Sequence, residues 1–124
     1  MKLTQNFNLN EFNCKDGIPV PQQFYPNVQE LANNLQVLRD YLKTPVAISG
    51  SGYRTPAHNK KVGGAPKSMH LTASAADISA KGITPEELAK AIEHLIATGK
   101  MKQGGLGTYS TFVHYDIRGT KARW

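Results

Sequence analysis

One cysteine, Cys14, stands alone among 124 residues, so no intrachain disulfide can form. The same count excludes a zinc site built on several thiolates, and a metal held by this chain is expected to rest on His, Asp or Glu. Acidic residues are also few: nine Asp and Glu face fifteen Lys and Arg, for a formal charge of +6. That balance suits anionic surroundings. The basic residues form no block, however, and no aromatic-interleaved basic stripe exists to stack bases, so nucleic acid is not the expected partner. No hydrophobic run reaches membrane-spanning length, which argues against membrane insertion. The opening residues Met1 to Asn8 contain no apolar stretch of the secretory type. The chain is thus expected to be made in the cytoplasm, and any action outside the cell requires another route of release.

What the sequence does contain is enough apolar material, 40%, for one hydrophobic core, punctuated by eleven Gly and seven Pro. Residues 1–25 read as irregular, with a turn at Asp16-Gly17 and prolines at 19 and 21. Val28, Leu31, Leu35, Leu38 and Leu42 then recur three and four apart, which predicts an amphipathic helix from about Pro26 to Leu42. Val46 to Ser49 reads as a buried strand. Thr55-Pro56 is a helix start, with the helix running to about Val62. Ala75 to Ser79 reads as a second strand. Thr84-Pro85-Glu86-Glu87 is a capping box opening a helix whose apolar face is Leu88, Ile92, Leu95 and Ile96, closed by Gly99. Strands after Gly104-Gly105 and from Phe112 to Arg118 complete the pattern. The chain is therefore expected to be a single α+β domain over residues 1–124, a small antiparallel sheet packed against two main helices.

Four histidines carry the chemical interest. His94 falls on the polar side of its helix, and His58 sits in a short basic helix with no carboxylate at a suggestive spacing, so both read as surface residues. His70 precedes Asp77 by seven residues, across a run of small side chains from Ala73 to Ala76 that leaves room for close packing. His114 lies in Phe112-Val113-His114-Tyr115-Asp116-Ile117-Arg118. Strand alternation there sends Val113, Tyr115 and Ile117 to the core and Phe112, His114, Asp116 and Arg118 to the other face. Two imidazoles and a carboxylate are a known three-ligand set for catalytic zinc, with a fourth position left open. A further carboxylate must then take a proton from the attacking water, and Asp116 is read in that role, the alternative being that it only orients His114 or pairs with Arg118 on the same strand face. Arg54, at a strand end, offers a planar fork for a substrate carboxylate.

The ordered set Ser51-Gly52-Tyr53-Arg54, Ser68-x-His70-x6-Asp77 and Phe112-Val113-His114-x-Asp116 resembles the M15-type zinc peptidases. These are D-alanyl-D-alanine carboxypeptidases and peptidoglycan endopeptidases, phage endolysins among them. The closing stretch from Gly104 to Trp124 is similar to a compact branch of that group, and the resemblance covers about residues 26 to 124. It implies Zn²⁺ on His70, Asp77 and His114, substrate contact by Arg54, and Ser68 as an outer hydrogen-bonding member of the metal motif. It also implies peptidoglycan peptides as substrate and cell-wall action after release by another route. Two departures stand out. Ala73 occupies a position where the family pattern often has Gly, and Thr111 stands where many relatives place a catalytic Glu or Asp, three residues before the last histidine. Signalling domains of the Hedgehog type share this zinc-site architecture, so a non-catalytic binding module is the alternative.

Overall fold

Helix α1 (Tyr25–Leu42) begins with Pro in its first turn, where the missing N–H costs nothing, and buries one stripe completely: Val28, Leu31, Ala32, Leu35 and Leu38. The computed structural model describes all residues 1–124. Helix α2 (Pro56–Lys61) is short and starts from Thr55, whose hydroxyl accepts the His58 N–H. Helix α3 (Pro85–Ala97) carries the predicted capping box at Thr84 and Glu87, and Gly99 follows its end at a φ of +75°. Its buried stripe, Leu88, Ile92 and Leu95, packs against the sheet and α1, each side chain contributing about 1.5–3 kcal/mol by leaving water.

Five strands form one sheet: β1 (Val46–Ala47), β2 (Ala75–Ala80), β3 (Gly105–Thr108), β4 (Val113–Asp116) and β5 (Ala122–Arg123), in the order β1-β2-β4-β3-β5. The α+β class holds. The sheet is not wholly antiparallel, because β5 runs parallel to β3, pairing Gly105 with Ala122 and Leu106 with Arg123. Two residues are too few for any sequence period to announce that strand. The first strand is also shorter than predicted: regular pairing stops at Ala47, and the chain meets β2 again through the Gly50 N–H to the Asp77 carbonyl and the Asp77 N–H to the Ser51 carbonyl.

In β2 and β4 the pairing sets Ala76 against Tyr115 and Ile78 against Val113 on the core face, all fully buried. On the other face Asp77 stands opposite His114 and Ala75 opposite Asp116. The predicted alternation is correct, yet this second face is not solvent-exposed: His114 is 7% exposed and Asp116 0%. The N-terminal segment has no α-helix, only 3₁₀ turns at Leu9–Phe12 and Gln22–Phe24 and a bridge from Lys2 to Asn8. It nevertheless contributes Phe7, Phe12, Cys14 and Val20 to the core, and the Tyr53 N–H donates to the Phe12 carbonyl. No helix is long and apolar enough to cross a membrane.

Candidate metal centre

Asp77 and His114 are directly opposed across β2 and β4, so the sheet itself brings a carboxylate and an imidazole together. His70 arrives from a 3₁₀ turn (Met69–Thr72) that ends at Ala73 with φ +57° and ψ +33°. This left-handed turn lets Ala73 and Ser74 donate back to the His70 and Met69 carbonyls, and it aims the chain into β2. The frequent Gly of the family pattern is thereby explained, since a Cβ is disfavoured in that conformation. Ser68 caps the turn: its hydroxyl accepts the His70 backbone N–H at 3.2 Å, so it fixes the main chain rather than the imidazole.

The imidazole of His70 is held instead by Gly52. Its Nδ1 lies 2.7 Å from the Gly52 carbonyl, which can only accept, so Nδ1 carries the proton and Nε2 presents a lone pair. His114 is held in the opposite sense: Nε2 donates to Asp116 Oδ2 at 2.7 Å and leaves Nδ1 free. The two free nitrogens, His70 Nε2 and His114 Nδ1, each sit 3.4 Å from Asp77 Oδ1. All three ligand atoms lie within 4.8 Å of one another, and all three residues are buried. Adjacent donors on a tetrahedral zinc with bonds of about 2.0–2.1 Å are roughly 3.3–3.4 Å apart. The donor set therefore fits a zinc ion by element type, spacing and oriented lone pairs. In the metal-free cluster, burial pushes the Asp77 carboxyl up, but hydrogen bonds and charge from both histidines outweigh it and leave it well below the usual carboxylate range. For His114, burial disfavours the charge, while Asp116 and Asp77 together raise its pKa above the ordinary value.

Asp116 is not placed as the expected base. Its carboxylate lies against Nε2 of His114, the ring nitrogen turned away from Asp77. Oδ1 accepts from the Gly105 N–H at 2.8 Å, the Arg118 N–H at 3.1 Å and Arg118 Nε at 2.9 Å. Oδ2 takes the second arm of Arg118 at 2.7 Å besides His114. Every partner is a donor, and burial, which would raise the carboxyl, is overcome by them, so its pKa is strongly depressed. Room for this arrangement comes from β3, whose Gly105 and Gly107 share the face of His114 and Asp116. A Cβ on Gly105 would strike the Asp116 carboxylate, and one on Gly107 would strike the Trp124 indole.

The donor set floors a cleft of about 500 Å³, whose walls include Arg54, Lys67 and Arg118 on the cationic side and Tyr109, Phe112 and Trp124 on the aromatic side. Arg54 is braced by Ser51 Oγ at 2.9 Å and Asn59 Oδ1 at 3.2 Å, with one amino group 3.7 Å from Asp77 Oδ2. Tyr109 and Phe112 stack with ring centroids 4.5 Å apart, and Trp124 Nε1 donates to the Tyr109 hydroxyl at 2.7 Å. The Trp124 ring also lies against His114 at 4.9 Å and beneath the Arg118 guanidinium at 5.5 Å. Thr111 is exposed in the turn before β4 and does not line the cleft. Asp77 is the one carboxylate among the lining residues.

A family model described as Peptidase M15 matches residues 3–116. The chain belongs to the M15 peptidase family. The match begins well before Pro26, so the N-terminal segment that fills the core is part of the M15 domain, which the residue motifs alone did not reveal. No curated protein and no solved structure matches this M15 family member. Of the residues singled out in the sequence, His70, Asp77, His114, Arg54 and Ser68 all line this one cleft. Sequence reasoning missed the Gly52 carbonyl, although that glycine sits in the quoted Ser-Gly-Tyr-Arg motif. The pairing of Asp116 with Arg118 and with the His114 ring is the arrangement that the shared strand face offered as the alternative to a base.

Proposed function

We propose that this chain is a zinc-dependent peptidase that hydrolyses an amide bond in peptidoglycan stem peptides. The observation that carries the reading is the triad itself: two imidazole nitrogens, each with its other nitrogen tied, converge on one carboxylate oxygen. His70, Asp77 and His114 would hold the metal, which when bound supplies Lewis-acid polarisation of a carbonyl and activation of water. Gly52 and Asp116 orient the two rings, and Arg118 neutralises Asp116 so that a buried carboxylate can stay charged beside His114. Arg54 and Lys67 give the cleft its positive character and suit a substrate bearing carboxylates, as wall peptides do. The overall charge of +6 favours the anionic wall as the place of action.

The absence of a second carboxylate from the cleft favours one alternative, a zinc-containing module that binds wall peptides without cleaving them. Digestion of purified peptidoglycan with and without chelator, read by mass spectrometry, separates the two. New peptide termini that vanish with chelator and return with zinc support the peptidase. Zinc-dependent binding with no new termini supports the module, and neither binding nor cleavage rejects both. Arg54→Lys keeps the charge but loses the forked geometry, so turnover should fall about tenfold or more with zinc content unchanged. Unaltered kinetics would remove Arg54 from substrate contact.

A further inference from the structure

A second set of donor atoms converges outside the cleft. The Cys14 thiol, the Asp16 carboxylate and a His58 ring nitrogen all lie within 4.8 Å of one another. They come from two separate pieces of chain, the tight turn over residues 14–18 and the first turns of α2. The turn is closed by the Cys14 N–H donating to the Ile18 carbonyl, the Gly17 N–H to the Cys14 carbonyl and the Ile18 N–H to Asp16 Oδ1, each at 2.9 Å. Thr55 joins it to the helix, donating from its hydroxyl to Asp16 Oδ2 at 2.9 Å and accepting the His58 N–H at 3.1 Å. Cys14 is 3% exposed and forms the floor; His58 is half-buried and Asp16 exposed at the rim.

We propose that Cys14, Asp16 and His58 form a second, structural metal site of the zinc class, pinning the N-terminal turn to α2. The sequence expectation that metal would rest on His, Asp and Glu alone did not foresee it, because the carboxylate and the thiol lie more than forty positions from the histidine. A thiolate with an imidazole selects zinc-like ions over calcium or magnesium, which prefer oxygen donors. Tetrahedral coordination needs donors roughly 3.3–3.6 Å apart, a spacing that falls inside the 4.8 Å limit within which all three lie. The site would also bear on the cleft, since Asn59, on the same helix as His58, braces Arg54.

Cobalt(II) titration of the full chain tests this. Cys14 is the sole cysteine and the cleft triad holds no sulfur, so a thiolate-to-cobalt charge-transfer band reports the second site alone, whether or not the cleft binds metal. The band should appear and saturate stoichiometrically in the native chain and in His70→Ala, yield to added zinc, and vanish in Cys14→Ser. His58→Ala and Asp16→Asn change rim residues rather than the core. Each should weaken the apparent affinity by at least the roughly 10–100-fold that loss of an outer metal partner costs. Absence of the band at excess cobalt would overturn the proposal. So would a band of native affinity in both rim variants, which would show the thiol binding metal unaided.

Discussion

Replacing Asp116 by Asn separates an orienting group from a base with a single change of one atom. The carboxylate receives five hydrogen bonds, three on Oδ1 and two on Oδ2, and every one comes from an N–H. An amide of the same shape must aim its NH₂ at donors whichever way it is turned, and it leaves the Arg118 guanidinium without its counter-charge. Asp116 is fully buried but the Arg118 side chain is one-third exposed, so water offsets part of the loss, and the cost is about 1–3 kcal/mol for the buried donors left unsatisfied, against the roughly 5–15 kcal/mol that holds a domain of this size together. The free His114 ring loses its orientation at the same time, so zinc affinity should weaken by about 10–100-fold, or roughly 1.4–2.7 kcal/mol. Denaturant unfolding of the metal-free chain and competition against a chelator of known affinity measure the two quantities. Turnover on wall peptides, taken at saturating zinc, should stay within about tenfold of the native value. Loss of a general base would instead lower turnover by about 10²–10⁴ with metal affinity intact. Native zinc affinity combined with such a collapse in rate would refute the orienting role. Arg118→Gln, which loosens the clamp without touching the carboxylate, should move affinity in the same direction by a smaller amount if Asp116→Asn proves too unstable to assay.

The close approach of β3 gives another expectation. Gly105→Ala drives a methyl into the Asp116 carboxylate, so zinc affinity and thermal midpoint should fall together, and a native affinity in that variant would show the clamp to be dispensable. Lys43 is exposed and ends α1 in the left-handed conformation at φ +55°, so Lys43→Gly should stabilise the chain by about 1 kcal/mol in denaturant unfolding. In the metal-free protein, Asp77 and Asp116 are depressed below their ordinary 3.8, so the stability they confer is present above that pH and lost as pH falls through their folded values. His114 is raised above its ordinary 6.5, so its contribution is full below that pH and lost as pH rises through its folded value. Metal-free stability should therefore be greatest between about pH 4 and 6.5, and a midpoint that climbs steadily to pH 8 would contradict the assignment.

The parts of the molecule legible in the sequence are those with local grammar. The α1 stripe, the Thr84 capping box, the Thr55 helix start and the alternation in β4 were all readable because each depends on neighbours within a few residues. The donors His70, Asp77 and His114 were readable only as an ordered combination, since each alone resembles an ordinary surface residue. What escaped depends on tertiary approach. Burial of the polar face of β4 requires β3 and Trp124 to cover it, and the two-residue β5 that places Trp124 has no periodic signature. The role of Asp116 turned on which ring nitrogen it meets, a rotamer-level fact that strand spacing does not encode. The anchoring of residues 7–20 in the core was hidden by prolines and turns that are compatible with either a loose arm or a folded one.

The opposition of Asp77 and His114 across β2 and β4 makes the sheet a caliper. Two jaws of the site are set by hydrogen bonds between main chains, and the fully buried Tyr115, Val113 and Ile78 on the reverse face keep them from slipping. Only the third jaw, His70, hangs from a turn. The setting comes from the fold. A metal held in the cleft should therefore load onto a chain already folded, a chelator should empty the site without unwinding it, and His70 is the ligand with the most latitude to shift.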